Sequence, residues 1–244
     1  MRLMILLAAV SLAACGAIAH GNDSGTKAQA SGQGGSRSFA AGDFTGVSLE
    51  GIDDVEVRVG PGFAVTAEGP GDIFDKLDIR KDGSTLRVGR ERGISWGGGG
   101  SQRGAIVRVT MPAIAAASVA GPGDLSIDQV RGDGFDGSVA GPGDLTIGRI
   151  ATRSTSLSVA GPGDIRIGGQ AARGKLSIAG PGGIHGEGLV LGSADVSITG
   201  PGGVTARVNG PAAVSIMGPG TADLGPDAKC TTSKMGPGEA RCGG

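Results

Sequence analysis

Four aspartates follow a Gly-Pro-Gly triplet, and their carboxylates are the side chains in this sequence best suited to bind a ligand. Asp124, Asp144 and Asp164 are spaced 20 residues apart, and Asp72 follows an earlier copy of the triplet. Carboxylates stacked about 5 Å apart could share a Ca²⁺ ion with backbone carbonyls. The alternative is that each carboxylate accepts hydrogen bonds from the N–H groups of its own turn.

The later copies of the triplet favour the turn interpretation. They lack the aspartate, and the sequence also lacks the nine-residue Gly-Gly-x-Gly-x-Asp calcium pattern. Calcium therefore stays a secondary possibility, and we expect no other cofactor. The residues at the equivalent position are Gly183, Gly203, Thr221 and Glu239.

No group of residues in the sequence has the pattern of a catalytic site. Asp133 and Asp136, with Arg131 nearby, could serve a polysaccharide-cleaving enzyme, but such chemistry needs a cleft that holds a carboxylate pair or a base. Sugar sites also favour aromatic platforms, and Phe135 is the only aromatic residue in the repeats. A lone His185 beside glycine indicates an exposed turn. We expect no catalytic residues.

The aspartates lie in a ten-residue motif, SVAGPGDLSI, that recurs along the second half of the chain. It occupies residues 118–127 and returns at 138–147 and 158–167, with weaker copies after them. The seven Gly-Pro-Gly triplets from residue 121 onward follow one another at steps of 20, 20, 19, 20, 18 and 18 residues. A period near 20 is typical of a solenoid, in which each repeat buries its apolar side against its neighbours.

The pattern inside one repeat predicts β-strands. Val119, Leu125 and Ile127 are apolar, and Ser126 between the last two should point to the opposite side of the strand. The sequence therefore predicts an all-β fold, a single-stranded parallel β-helix (a β-solenoid) with coils of 18–20 residues. Each coil is long enough for three short strands and three corners.

The prolines of the triplets are expected at corners. Proline has no N–H group for a ladder between coils, and its φ angle is fixed near −65°. We expect one column of corners down one side of the solenoid. Its members are Pro122, Pro142, Pro162, Pro181, Pro201, Pro219 and Pro237.

The two ends of such a solenoid need covers, because unpaired strand edges invite aggregation. Alternating residues in 37–112 predict strands that cap one end, before the coils of 113–225. Residues 226–244 are expected to finish the other end. Cys230 and Cys242 predict a disulfide there, and a metal site is the alternative.

The first residues predict export. Residues 1–14 read as a signal peptide, and the sequence that precedes Cys15 resembles a bacterial lipobox, which makes Cys15 the expected lipidation site and membrane anchor. The alternative is cleavage after residues 17–19, an Ala-x-Ala site. Polar, glycine-rich residues 15–36 predict a flexible tether. We expect a lipoprotein of the periplasm or outer membrane, or alternatively a soluble periplasmic or secreted protein.

The repeat resembles that of a known bacterial family. Residues 121–125 and their copies are similar to the repeated Gly-Ser-Gly-Asp motif of the head GIN domain, or auto-transporter adhesin, family, and residues 44–47, 55–57 and 77–88 resemble its opening segment. The resemblance covers residues 37–244. It implies a right-handed parallel β-helix and adhesion, and it brings no catalytic residues. Proline in place of serine suggests a stiffer corner.

These observations predict a non-catalytic protein of the cell envelope that binds polysaccharide, cell wall or another protein. The net charge of −1 gives no electrostatic reason to expect nucleic acid as a partner. One alternative is a calcium-dependent carbohydrate-active protein. Another is a structural scaffold whose rods associate end to end. The sequence does not indicate the oligomeric state.

Overall fold

The computed structural model describes residues 25–32, 34–91 and 104–243 of the 244-residue chain. The predicted signal peptide and Cys15 lie outside the described residues. One helix, α1 (Gly71–Phe74), is present among them, and no described helix has the length and apolar character needed to cross a membrane. The strands are β1 (Thr26–Lys27), β2 (Gln29–Ser31), β3 (Ser36–Ala40), β4 (Gly46–Leu49), β5 (Asp54–Val59), β6 (Ala64–Glu68), β7 (Leu77–Asp82), β8 (Thr85–Arg90), β9 (Ile106–Met111), β10 (Ala116–Val119), β11 (Leu125–Val139), β12 (Leu145–Val159), β13 (Ile165–Ala179), β14 (Gly183–Thr199), β15 (Gly203–Val208), β16 (Pro211–Met217), β17 (Thr221–Asp223), β18 (Lys229–Met235) and β19 (Glu239–Arg241).

Strands β10 to β19 wind into a solenoid of parallel coils. Leu125 lies opposite Leu145, and Leu145 lies opposite Ile165, so the 20-residue period of the sequence is the register of the ladder. The prediction of an all-β parallel solenoid is confirmed, with about six turns. The coils differ from the expected three short strands, because β11, β12 and β13 each run 15 residues and bend through the two corners that lack Gly-Pro-Gly.

The core is a tube of stacked aliphatic side chains. Alternation along each strand points one residue inward and the next outward. Each inward Val, Ile or Leu is fully buried, which stabilises the fold by roughly 1.5–3 kcal/mol per side chain. One column, formed by Leu49 of β4 and by the last inward residue before each of the first six Gly-Pro-Gly corners of the repeats, runs almost the whole length of the tube. It consists of Leu49, Val119, Val139, Val159, Ile178, Ile198 and Ile216.

The Gly-Pro-Gly corners lie one above another, with their prolines exposed. The second glycine of six corners, that of residues 218–220 excepted, donates its N–H to a carbonyl of the neighbouring coil, as Gly143 does to Gly121 over 3.1 Å. A Cβ atom on Gly143 would lie 2.1 Å from the carbonyl oxygen of Gly123. The backbones therefore approach so closely that only glycine fits there.

The N-terminal half supplies one coil that is inserted out of chain order. Strand β4 pairs in parallel with β8 on one side and with β10 on the other, and β5 lies in the same way between β9 and β11. Ser48 thus neighbours Ser118, which lies 70 positions later in the chain. The residues of 37–112 do not simply precede the repeats, because β4, β5, β8 and β9 are themselves stacked in parallel at the N-terminal end of the solenoid.

Antiparallel strands cover the N-terminal end of the solenoid. Strand β7 pairs with β8, and β6 pairs with β9, so both strands of the outermost coil have partners on their free edges. Strand β1 extends β7, while β3 and β2 extend β6. Strands β1 and β2 lie within residues 15–36, where the sequence predicts a flexible tether. All five of their residues are exposed, so they lack the apolar alternation that marks a strand in sequence.

The C-terminal end of the solenoid is finished by β18 and β19. Strand β18 pairs only with β16 among the described strands, and β19 pairs only with β17. Cys230 and Cys242 form a disulfide in the structure, with their Cα atoms 6.2 Å apart. It joins the start of β18 to the residue after β19, so the two strands of the last coil are linked covalently.

Candidate functional site

The aspartates that follow the corners connect successive coils. The Oδ1 atom of Asp144 accepts the backbone N–H of Asp164 over 2.9 Å, and Asp124 accepts the N–H of Asp144 over the same distance. Asp164 accepts the N–H of Gly183, and the row begins with Asp54, which accepts the N–H of Asp124. The bonds therefore reach the next coil, whereas the sequence suggested bonds within each turn.

Basic side chains contact the second oxygen, Oδ2, of two of these carboxylates. Arg166 contacts Asp144 and also lies 3.2 Å from Asp164. His185 Nε2 lies 3.4 Å from Oδ2 of Asp164. Burial by itself raises the pKa of Asp144, but hydrogen bonds from Arg166 and from the N–H of Asp164 outweigh it, so the pKa lies below its usual value.

The carboxylate oxygens in the row of aspartates are engaged by the protein itself. They accept hydrogen bonds from backbone N–H groups and from arginine, and no group of three or more His, Cys, Asp or Glu in the described part of the chain is arranged to hold a metal ion. Asp72 lies apart from the row, in the first turn of α1. The role that the structure shows for these aspartates is to bind one coil to the next.

The acidic residues considered for catalysis stand apart on the surface. Asp133 forms an ion pair with Arg153 over 3.0 Å, and both side chains are at least 70 % exposed. Asp136 is exposed on β11. The side chain of Arg131 donates a hydrogen bond to the side-chain oxygen of Gln129. They do not surround a cleft, so the geometry brings together no acid–base pair from these residues.

A continuous row of serine hydroxyls is the surface feature that sequence reasoning did not single out. Each motif begins with serine, and the register places these residues directly opposite one another on the outer side of the sheet. The N-terminal coil adds one more, because the Ser118 hydroxyl lies 2.9 Å from that of Ser48. We call this the serine face. Its serines are Ser48, Ser118, Ser138, Ser158, Ser177, Ser197, Ser215 and Ser233.

The serine face is concave towards its C-terminal end. A shallow groove of about 350 Å³ lies there, with Ser197 and Ser215 on its floor. Lys175 and Asp195 stand at one side, and Thr231 belongs to the last coil. A smaller hollow beside it, of about 240 Å³, shares Asp195 and Thr231 and adds Lys229. Hydroxyl groups, two amines and one carboxylate therefore border an open, solvent-accessible channel, together with the apolar atoms of Val196, Ala213 and Val214.

The fold has crystallographic counterparts among bacterial proteins. A crystal structure described as a putative adhesin from Bacteroides fragilis matches with a TM-score of 0.78 and 19 % identity, over 85 % of this chain and 95 % of the other. A putative lipid binding protein from Parabacteroides distasonis matches with a TM-score of 0.67 and 19 % identity, and a putative adhesin from Parabacteroides merdae with 0.67 and 15 %, each over 85 % and 95 % of the two chains. At these identities the likeness shows the fold.

Sequence comparison gives the family. No curated protein matches the chain. The family model described as "Putative auto-transporter adhesin, head GIN domain" matches residues 43–225, which span the inserted coil, the covering strands β6 and β7 and most of the repeats. The match lies within residues 37–244, where the resemblance was found, and the chain belongs to the head GIN domain family of putative auto-transporter adhesins.

Proposed function

We propose that the protein is a non-catalytic binding module of the cell envelope and that it holds an extended ligand along the serine face. The observation that supports this proposal is the groove on that face, where hydroxyls from successive coils line an open channel beside Lys175 and Lys229. The catalytic candidates named from the sequence do not share a cleft, which favours binding over catalysis. Membership of an adhesin family agrees with this role.

The geometry of the face favours a polymer rather than a small molecule. Successive coils repeat every ~4.8 Å, so hydroxyl groups recur at the spacing of a β-sheet. A ligand with its own regular hydroxyls can exchange hydrogen bonds with several coils at once, and many weak contacts then add up along its length. Lys175 and Lys229 would attract carboxylates. An acidic polysaccharide of the envelope combines both features.

Binding to insoluble acidic polysaccharide tests the proposal. We expect Ser197→Glu to weaken co-sedimentation of the purified protein with alginate beads, because the longer side chain occupies the groove and its carboxylate repels those of the polymer. Ser126→Glu makes the same change on the strand after the Gly-Pro-Gly corner, outside the groove, and serves as the matched control. Equal binding by both variants and the wild type would contradict the proposal.

We also propose that the protein is exported and anchored through a lipid on Cys15. The lipobox-like sequence before this residue supports the proposal. Cells fed with labelled palmitate should label the wild type and not Cys15→Ala, and the variant should leave the membrane fraction. A variant that stays in the membrane fraction would contradict anchoring through Cys15, and cleavage after residues 17–19 would then be tested by N-terminal sequencing.

A further inference from the structure

The two ends of the solenoid are finished in different ways. At the N-terminal end, both strands of the outermost coil have antiparallel partners, β7 on β8 and β6 on β9. At the C-terminal end, β18 and β19 have no partner on their outer edge within the described residues. Six of the seven residues of β18 are exposed. Its backbone N–H and C=O groups on that edge can therefore pair with another strand.

The inward residues of the last coil depart from the pattern of the core. The buried column that passes through Ile198 and Ile216 continues at Lys234, and Val214 is followed by Thr232. Lys234 thus holds a position that is aliphatic in every preceding coil from Leu49 onward. A further strand paired with the edge of β18 would bury the charged ammonium group of Lys234 in the core, which is unfavourable without an acidic partner.

The sequence of β18 is self-complementary in an antiparallel register. Pairing about a two-fold axis at Thr232 sets Thr231 against Ser233 of a second copy and Cys230 against Lys234. No like charges lie directly opposite one another, and threonine–threonine and threonine–serine neighbours suit a sheet. Both lysines would nevertheless point into the joined core. The nearby Glu239 attracts Lys234 but its carboxylate contacts Arg241.

We infer that the outer edge of β18 has the shape to pair with that of a second copy of this chain and that the inward Lys234 prevents this pairing. The lysine makes the joint unfavourable, because its charge would be buried between the two cores. With an aliphatic residue at this position, the apolar column would end against Cys230 of the other copy, with no charge between the two cores. Lys234 is then the residue that decides between a single rod and a tail-to-tail pair.

Sedimentation of three proteins tests this inference. Lys234→Ile, which copies the residue one coil earlier, should dimerise more than about tenfold more tightly than the wild type. Lys229→Ile removes the same charge from an exposed, outward position on the same strand and should sediment as the wild type does. The inference is overturned if Lys234→Ile sediments as the wild type does, if Lys229→Ile dimerises equally, or if the wild type already dimerises through this edge.

A cysteine placed at the two-fold axis tests the register. In the Lys234→Ile background, Thr232→Cys should form a disulfide between copies, because residue 232 lies opposite itself. Ser233→Cys, whose counterpart would be Thr231, should not. Mapping the linked peptides by mass spectrometry distinguishes the new bond from exchange with the Cys230–Cys242 disulfide. Dimers without the Thr232→Cys link would overturn the proposed pairing.

Discussion

At the residue scale, the second glycine of each corner leaves no room for a methyl group. Gly143→Ala should lower the free energy of unfolding by about 1–3 kcal/mol, because its Cβ would lie 2.1 Å from a carbonyl oxygen. Gly134→Ala is the matched control, since its nearest neighbour, the Ser154 hydroxyl, lies 3.5 Å away. Urea denaturation measures both. Equal midpoints for the two variants would contradict the close approach of the corner backbones.

The row of aspartates predicts a pH dependence. The pKa of Asp144 lies below its usual value in the folded protein, so its contribution to stability is complete above about pH 4 and is lost as the pH falls through the folded pKa. Asp144→Asn should therefore destabilise the protein by about 1 kcal/mol at pH 7. The difference from wild type should vanish in strong acid.

Denaturation of both proteins at several pH values checks this expectation. Asp136→Asn, at an exposed position on β11, is the control and should match the wild type at every pH. A deficit for Asp144→Asn that persists unchanged into strong acid would mean that the loss does not come from the carboxylate charge.

At the scale of single elements, a buried ion pair fixes the start of the inserted strand β5. Asp53 is fully buried, accepts two hydrogen bonds from Arg90 over 2.8 and 3.0 Å, and accepts the N–H of Ala105 over 2.7 Å. Arg90→Met should cost about 3–5 kcal/mol, because it leaves a buried charge without its partner. Thermal unfolding should show a large drop in Tm.

Arg87 lies on β8, the strand that also contains Arg90, and provides the comparison for this prediction. Arg87 pairs with Glu50, and both side chains are more than a third exposed. Arg87→Met should therefore cost only about 0–1 kcal/mol. If both variants lost the same stability, burial of Asp53 would not be the reason for the loss.

The repeats show which parts of these elements sequence can predict. The recurrence of Val119 and Leu125 at 20-residue steps defined the coils and their register, because in a solenoid the period of the sequence is the period of the ladder. Strand β5 shows the limit. Its alternation marks a strand, but only the assembled fold shows that its parallel neighbours are β9 and β11. Strands β1 and β2 have no buried apolar side, so no alternation in the sequence indicates that they are strands.

The candidate site was predicted in the same partial way. Asp124, Asp144 and Asp164 were expected in one row, and they lie in one row. Their hydrogen-bond partners belong to the next coil, and that depends on where the backbone of one turn sits above another. The groove on the serine face has no sequence signal of its own, since it arises from the relative positions of several coils.

At the scale of the whole molecule, the inserted coil makes the two halves of the chain interdependent. A fragment of residues 113–244 loses the parallel partners of β10 and β11, which are β4 and β5. It would expose Val119 and Leu125 at an open apolar end. We expect this fragment to aggregate when produced alone, as judged by its soluble fraction and circular dichroism.

Production together with residues 25–112 provides the control. The two fragments should associate and remain soluble, because the interface between them is a sheet ladder with a buried core. A fragment 113–244 that folds alone as a monomer with cooperative unfolding would show that the repeats do not need the inserted coil.

The inserted coil also sets the order in which the chain can fold during synthesis. Strands β4 and β5 leave the ribosome before either neighbouring coil exists, and their partners on one side, β10 and β11, follow about 70 residues later. The inserted coil therefore lacks one of its two neighbouring coils until more than a third of the domain has emerged. Under the export proposed above, this delay would favour translocation, because the inserted coil gains its second neighbour only after β10 and β11 have been made.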